Sequence, residues 1–182
     1  KQIDKKKLFD TIDNIDNTPN AYWIGMGDYG EFITPNDTRF VGEELDPTLY
    51  SHLGTIAISQ KNYLIDAFKP IANKCIGLLE GNHEFTIKTK HYVDLTRELC
   101  KALDVPYLSE CALIRLRFMR GTHISHFTIF AEHGCGGGRK IGSKMNSIED
   151  VSGYFQADMY LRGHVHTKAI SKRIVLSLTS KG

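Results

Sequence analysis

Four short apolar runs, far apart in the chain, each stop at a glycine flanked by side chains that can bind a metal. The first, Ala21-Tyr22-Trp23-Ile24-Gly25-Met26, ends at Gly27-Asp28. The second, Cys75 to Leu79, ends at Glu80-Gly81-Asn82-His83-Glu84. The third, His126 to Ala131, ends at Glu132-His133-Gly134, and the fourth, Asp158 to Leu161, ends at Gly163-His164-Val165-His166. Short apolar runs bounded by turn signals read as buried strands. In open α/β sheets, ligands collect beyond the carboxyl ends of the strands. A fold that satisfies this pattern has to bring four strand ends, and their polar side chains, to one place.

The intervening segments fit that demand. Leu8, Phe9, Ile12 and Ile15 recur at helical spacing between Ile3 and Ile15, and Thr18-Pro19-Asn20 breaks the segment. Further helices are expected over Thr55 to Asn73, His91 to Leu103 and Asn146 to Phe155. Further strands are expected over Ala112 to Met119 and Arg173 to Leu178. Glu31 to Ser51, with Pro35, Asn36, Asp37, Gly42 and Pro47, reads as a long irregular loop. This alternation predicts an α/β chain, a sheet core with helices on both faces. With 182 residues and no repeat, low-complexity tract or linker, residues 1–182 read as one domain.

Composition excludes some partners. No apolar run approaches the roughly 20 residues of a membrane span, and no signal-peptide pattern opens the chain. Cys75, Cys100, Cys111 and Cys135 are scattered with no Cys-x-x-Cys pair, so free thiols and a cytoplasmic setting are expected. The formal net charge of +2 gives nucleic acid no support, although such a partner is compatible with the chemistry below. No stripe of alternating aromatic and basic residues stands out.

Taken singly, the strand-end residues have ordinary explanations. Asp28 suits a turn, Asn82-His83 a tight turn after glycine, and His133 a hydrogen-bonded strand end. His164 and His166 alternate along extended backbone and so would face one side. The joint pattern favours metal. Carboxylate and amide oxygens with imidazole nitrogens suit Mn²⁺, Fe or Zn²⁺, with Mn²⁺ preferred. Two such ions can clamp a phosphate and activate water. Cys135, beside His133, reads as a free loop thiol. The run Gly136-Gly137-Gly138 reads equally as a flexible loop or as a nest of phosphate-binding N–H groups. Arg139, Lys140 and Lys144 form a basic cluster that could draw in an anion or simply be solvated.

Gly27-Asp28, Gly81-Asn82-His83-Glu84, His133-Gly134 and Gly163-His164-Val165-His166 resemble, in order and spacing, the signature of the calcineurin-like metallophosphoesterases. The resemblance covers nearly the whole chain, and the segment from His133 to Lys140 is similar to phage and bacterial members. It implies a two-sheet β-sandwich flanked by helices, two divalent metal ions, and hydrolysis of a phosphate mono- or diester. It further implies that Asp28 bridges the metals, that Asn82, His133 and His164 hold one of them, and that His166 holds the other. His83 would face the scissile phosphate as leaving-group acid, and Glu84 would orient His83. The family's first motif, Asp-x-His, occurs nowhere in the chain, so the first strand is expected upstream of Lys1. Two alternatives accompany this reading: a nuclease acting on DNA or RNA, and a non-catalytic protein scaffold of the same fold.

Overall fold

A computed structural model describes residues 4–35, 40–44, 47, 55–136 and 140–172. The first helix, α1 (Lys5–Asn17), starts at Asp4, whose carboxylate accepts from the Lys7 N–H. The Lys74 ammonium closes its far end, donating to the carbonyls of Ile15, Asp16 and Thr18 at 2.7, 2.6 and 3.1 Å. Strand β1 (Trp23–Gly25) follows, and after it α2 (Ile56–Phe68). Pro70 ends that helix earlier than the expected Asn73, and Lys69–Lys74 tightens into a 3₁₀ segment. Strand β2 (Cys75–Leu78) then pairs in parallel with β1, and Leu79 N–H extends the ladder to Gly25 at 2.9 Å.

Helix α3 (Asn82–His91) was not expected from the sequence, which reads there as a turn. Only Phe85 and Ile87 are apolar in its early and middle turns, so no helical stripe announces it. Its start is fixed by Glu84, which reaches back to the Gly81 N–H at 3.0 Å. Tyr92, in the left-handed region, ends it. The next helix, α4 (Leu95–Leu103), therefore begins four residues after the expected His91, with Asp94 capping Arg97 N–H.

The second sheet is built from β3 (Cys111–Arg120), β4 (His123–Glu132) and β5 (Met159–Arg162). β3 and β4 form an antiparallel hairpin, and β5 joins β4 in parallel. Between them, α5 (Ile141–Tyr154) begins five residues before the expected Asn146. The expected strand Arg173–Leu178 lies outside the described residues, as do Gly137, Gly138, Arg139 and most of the segment from 36 to 54.

The chain is thus mixed α/β, with five α-helices and two small sheets among the described residues. One apolar cluster joins the helices to the first sheet through Ile12, Leu64, Phe68, Ile71, Leu78, Ile87, Leu95 and Leu99. A second lies between the sheets: buried Leu79 from beyond β2 meets buried Ile129 and Ala131 of β4, with Ile24, Ile114, Leu116 and Leu161 against them. Each fully buried Leu or Ile contributes about 1.5–3 kcal/mol. The contact therefore fixes the sheets against each other where their strands end. No helix among the described residues is long and apolar enough to cross a membrane.

Candidate metal centre

The ends of β1, β2, β4 and β5 meet. An added Cβ on Gly27 would lie 2.6 Å from His133 Nδ1 and 2.7 Å from Gly81, so only glycine lets these loops touch. Gly163 likewise sits against the Met26 carbonyl, at 3.0 Å from an added Cβ. Two non-glycine residues at this junction, Asp28 and His164, hold left-handed backbone with φ of 54 and 59. Strained conformations of this kind persist only where the surroundings impose them, and they concentrate at functional sites.

Asp28, His133 and His164 each present one possible ligand atom, and these atoms lie within 4.8 Å of one another. Asn82 joins them: its Oδ1 is 3.0 Å from His133 Nε2 and 2.8 Å from His164 Nδ1. His133 Nε2 is also 3.3 Å from Asp28 Oδ2. On the far side of the ring, Nδ1 donates to the Met26 carbonyl at 2.6 Å, which turns Nε2 toward the cluster. Both nitrogens of this buried imidazole thus face acceptors. An imidazolium satisfies that arrangement, and so does a metal ion on Nε2.

The electrostatics follow the same geometry. Burial pushes the Asp28 carboxyl upward, but its hydrogen bond to His133, with the His83 N–H and nearby imidazole charge, outweighs this and holds it below the usual range. Burial opposes charge on His133, yet the Asp28 carboxylate and the Met26 carbonyl raise its pKa. His164 is lowered by burial and by its proximity to His133. One carboxylate, one amide oxygen and two imidazoles converging here form a donor set that fits a single borderline divalent cation.

His166 is exposed and stands outside the group of converging ligand atoms. The described residues therefore assemble donors for one ion. His83 does lie at the site. Its backbone N–H donates to Asp28 Oδ1 at 3.1 Å, and its ring Nδ1 is 3.1 Å from the Gly30 carbonyl and 3.9 Å from Glu31. Glu84 does not orient that ring as the resemblance implies. Its carboxylate accepts from Asp28 N–H at 3.0 Å, Tyr29 N–H at 2.7 Å and Gly81 N–H at 3.0 Å, pinning the two ligand loops together. Burial raises its pKa despite these donors.

Glu80 has a role that the strand-end motif does not reveal. It is 3% exposed and accepts from Lys88 Nζ at 3.0 Å and Tyr107 Oη at 3.0 Å. Lys88 also pairs with Asp94 at 3.3 Å, so one ammonium ties β2's end, α3 and α4 together. The available signal was Glu80 eight residues before Lys88, but it has meaning only once α3 is known. Cys135 is an exposed free thiol whose carbonyl accepts from Arg162 at 2.9 Å. Lys140 is exposed, while Lys144 donates to Thr167 Oγ1 at 2.5 Å. No protein-family model, curated protein or solved structure matches this chain.

Proposed function

We propose that this chain is a metal-dependent phosphoesterase of the calcineurin-like type, hydrolysing a phosphate mono- or diester. The convergence of Asp28, Asn82, His133 and His164 from four strand ends carries the reading. These four residues would hold a divalent cation, Mn²⁺ preferred, which would supply Lewis acidity toward a phosphoryl oxygen and toward water. Asp28 and His166 would hold a second ion, and the two sheets would belong to a two-sheet sandwich.

The chain's own residues supply the rest. His83 Nδ1 lies against the Gly30 carbonyl, which favours a proton there. Its Nε2 is then the nitrogen that hands a proton to the leaving oxygen when the ring is charged. The N-terminus of α3, which begins at Asn82, places the positive end of a helix dipole beside the cluster. Glu84 keeps the Asp28 and Gly81 loops in register while this happens.

Turnover of an aryl phosphodiester with added Mn²⁺ tests the proposal. His83→Ala is expected to lose roughly 10²–10⁴-fold in kcat, the usual worth of a general acid, while still binding metal. An unchanged rate in that variant removes His83 from the mechanism. A wild-type protein that binds metal without turnover favours the scaffold alternative.

A further inference from the structure

The β3–β4 hairpin runs well past the core. Residues 117–120 of β3 and 123–126 of β4 are all exposed, so the outer half of this ribbon has solvent on both faces. Gly121, at φ 59, opens its two-residue turn, the position that type II′ hairpins give to glycine. From Cys111 to Ala131 the sequence contains Arg115, Arg117, Arg120, His123 and His126 and no carboxylate. The three arginines are exposed, and none forms a salt bridge among the described residues.

The register sets a pattern on this ribbon. Arg117 lies directly opposite His126 and Arg120 opposite His123. Phe118, Met119 and Ile124 stand among them at 56, 65 and 51% exposure, an apolar surface with no packing partner in the core. Alternation along the strands puts Arg115, Arg117 and Met119 on one face with His126 and Ile124, and Phe118 and Arg120 on the other with His123. Each face thus carries basic and apolar side chains together and no carboxylate, which suits an anionic partner that also offers apolar surface.

We propose that this ribbon is a docking arm for B-form duplex DNA. A two-stranded ribbon fits the roughly 12 Å major groove of B-DNA, whereas the deep, narrow major groove of A-form RNA excludes it. On one face Arg115 and Arg117 meet phosphates and base edges while Met119 and Ile124 meet the thymine methyls and sugar surfaces of the groove, and Arg120, on the other face near the turn, reaches a flanking phosphate. At about 3.4 Å per residue, the strand from His123 to His133 spans about 34 Å, close to one helical turn of DNA. A duplex held at the tip can therefore reach the metal centre one turn away. The arm deepens the phosphodiesterase reading by naming its polymer and rests on that reading for catalysis, but DNA binding itself does not.

The experiment is anisotropy of a labelled 20-base-pair DNA duplex in EDTA, titrated with the full chain from 50 to 200 mM salt. Wild type is expected to bind, with affinity falling steeply as salt rises. The surface variant Arg115→Ala/Arg117→Ala/Arg120→Ala is expected to bind at least 10-fold more weakly at 50 mM salt. Its salt slope should be smaller by about 2–3, near one per lost phosphate contact. Its turnover of an aryl phosphodiester with Mn²⁺ should match wild type, so failure of the arm and failure of the metal site are told apart. The triple Arg→Lys variant should recover binding to within about threefold, because lysine still meets phosphate. Absence of wild-type binding at 50 mM salt, or an unaltered slope in the alanine variant, overturns the proposal. Equal affinity for a 20-base-pair RNA duplex, or equal competition by polyglutamate, overturns the groove reading.

Discussion

Replacing Glu84 by alanine removes the acceptor for three backbone N–H groups at once, on Asp28, Tyr29 and Gly81. Each buried donor left unpaired costs about 1–3 kcal/mol. Glu84→Ala is therefore expected to lose about 3 kcal/mol or more in urea unfolding at unchanged slope, and Glu84→Gln, which keeps one oxygen, about half of that. A loss below about 1 kcal/mol would mean that the ligand loops hold together without it. The thiols offer a second residue-scale test. Burial pushes Cys75 up to about 11 and Cys100 up to about 12, so both stay protonated at pH 8. Cys111 and Cys135 are exposed. Because the thiolate is the nucleophile, a disulfide reagent at pH 8 should label Cys111 and Cys135 quickly in the folded chain. Cys75 and Cys100 should react only on unfolding, and mass mapping of the labelled peptides reads the difference. Rapid labelling of Cys100 at pH 8 would contradict its burial.

At the scale of elements, helix α3 was hidden in the sequence and the strands were not. β1, β2, β4 and β5 announce themselves as apolar runs with abrupt polar ends, because each is packed on the core over its last residues. α3 has no stripe, since it is held by polar groups: Glu84 at its start and the Lys88 ammonium toward its end. Side-chain bonds to residues distant in sequence leave no periodic trace. That dependence makes Lys88 testable. Lys88→Met strands the Glu80 carboxylate, which is 3% exposed, with Tyr107 as its remaining side-chain donor. Removing one member of a buried pair costs about 3–5 kcal/mol, and the partly exposed ammonium puts the expected loss at the lower end, about 3 kcal/mol in urea. Glu80→Gln combined with Lys88→Met should recover most of it, because the remaining amide carries no charge. A double variant as unstable as Lys88→Met alone would show that packing of the lysine stem, not charge, holds α3. The basic ribbon was legible in principle, since Arg115, Arg117 and Arg120 fall close together in one strand with no carboxylate beside them. The net charge of the whole chain concealed it.

For the whole molecule, the sequence motifs located four of the candidate ligands and left their meeting point to be found. Asp28, Asn82, His133 and His164 come together because parallel pairing levels the ends of β1 with β2 and of β4 with β5. The cluster around Leu79, Ile129 and Ala131 then presses the two sheets into contact. Spacing in sequence carries neither fact. His164 holds left-handed backbone, so the extended alternation that would turn His166 to the same side does not apply there. Elemental analysis after loading with Mn²⁺ or Zn²⁺ and desalting tests the central claim most directly. The account predicts at least one equivalent in wild type and its loss in Asp28→Ala and His133→Ala, while His166→Ala retains it. Wild type that takes up no metal, or Asp28→Ala and His133→Ala proteins that load as fully as wild type, would contradict it.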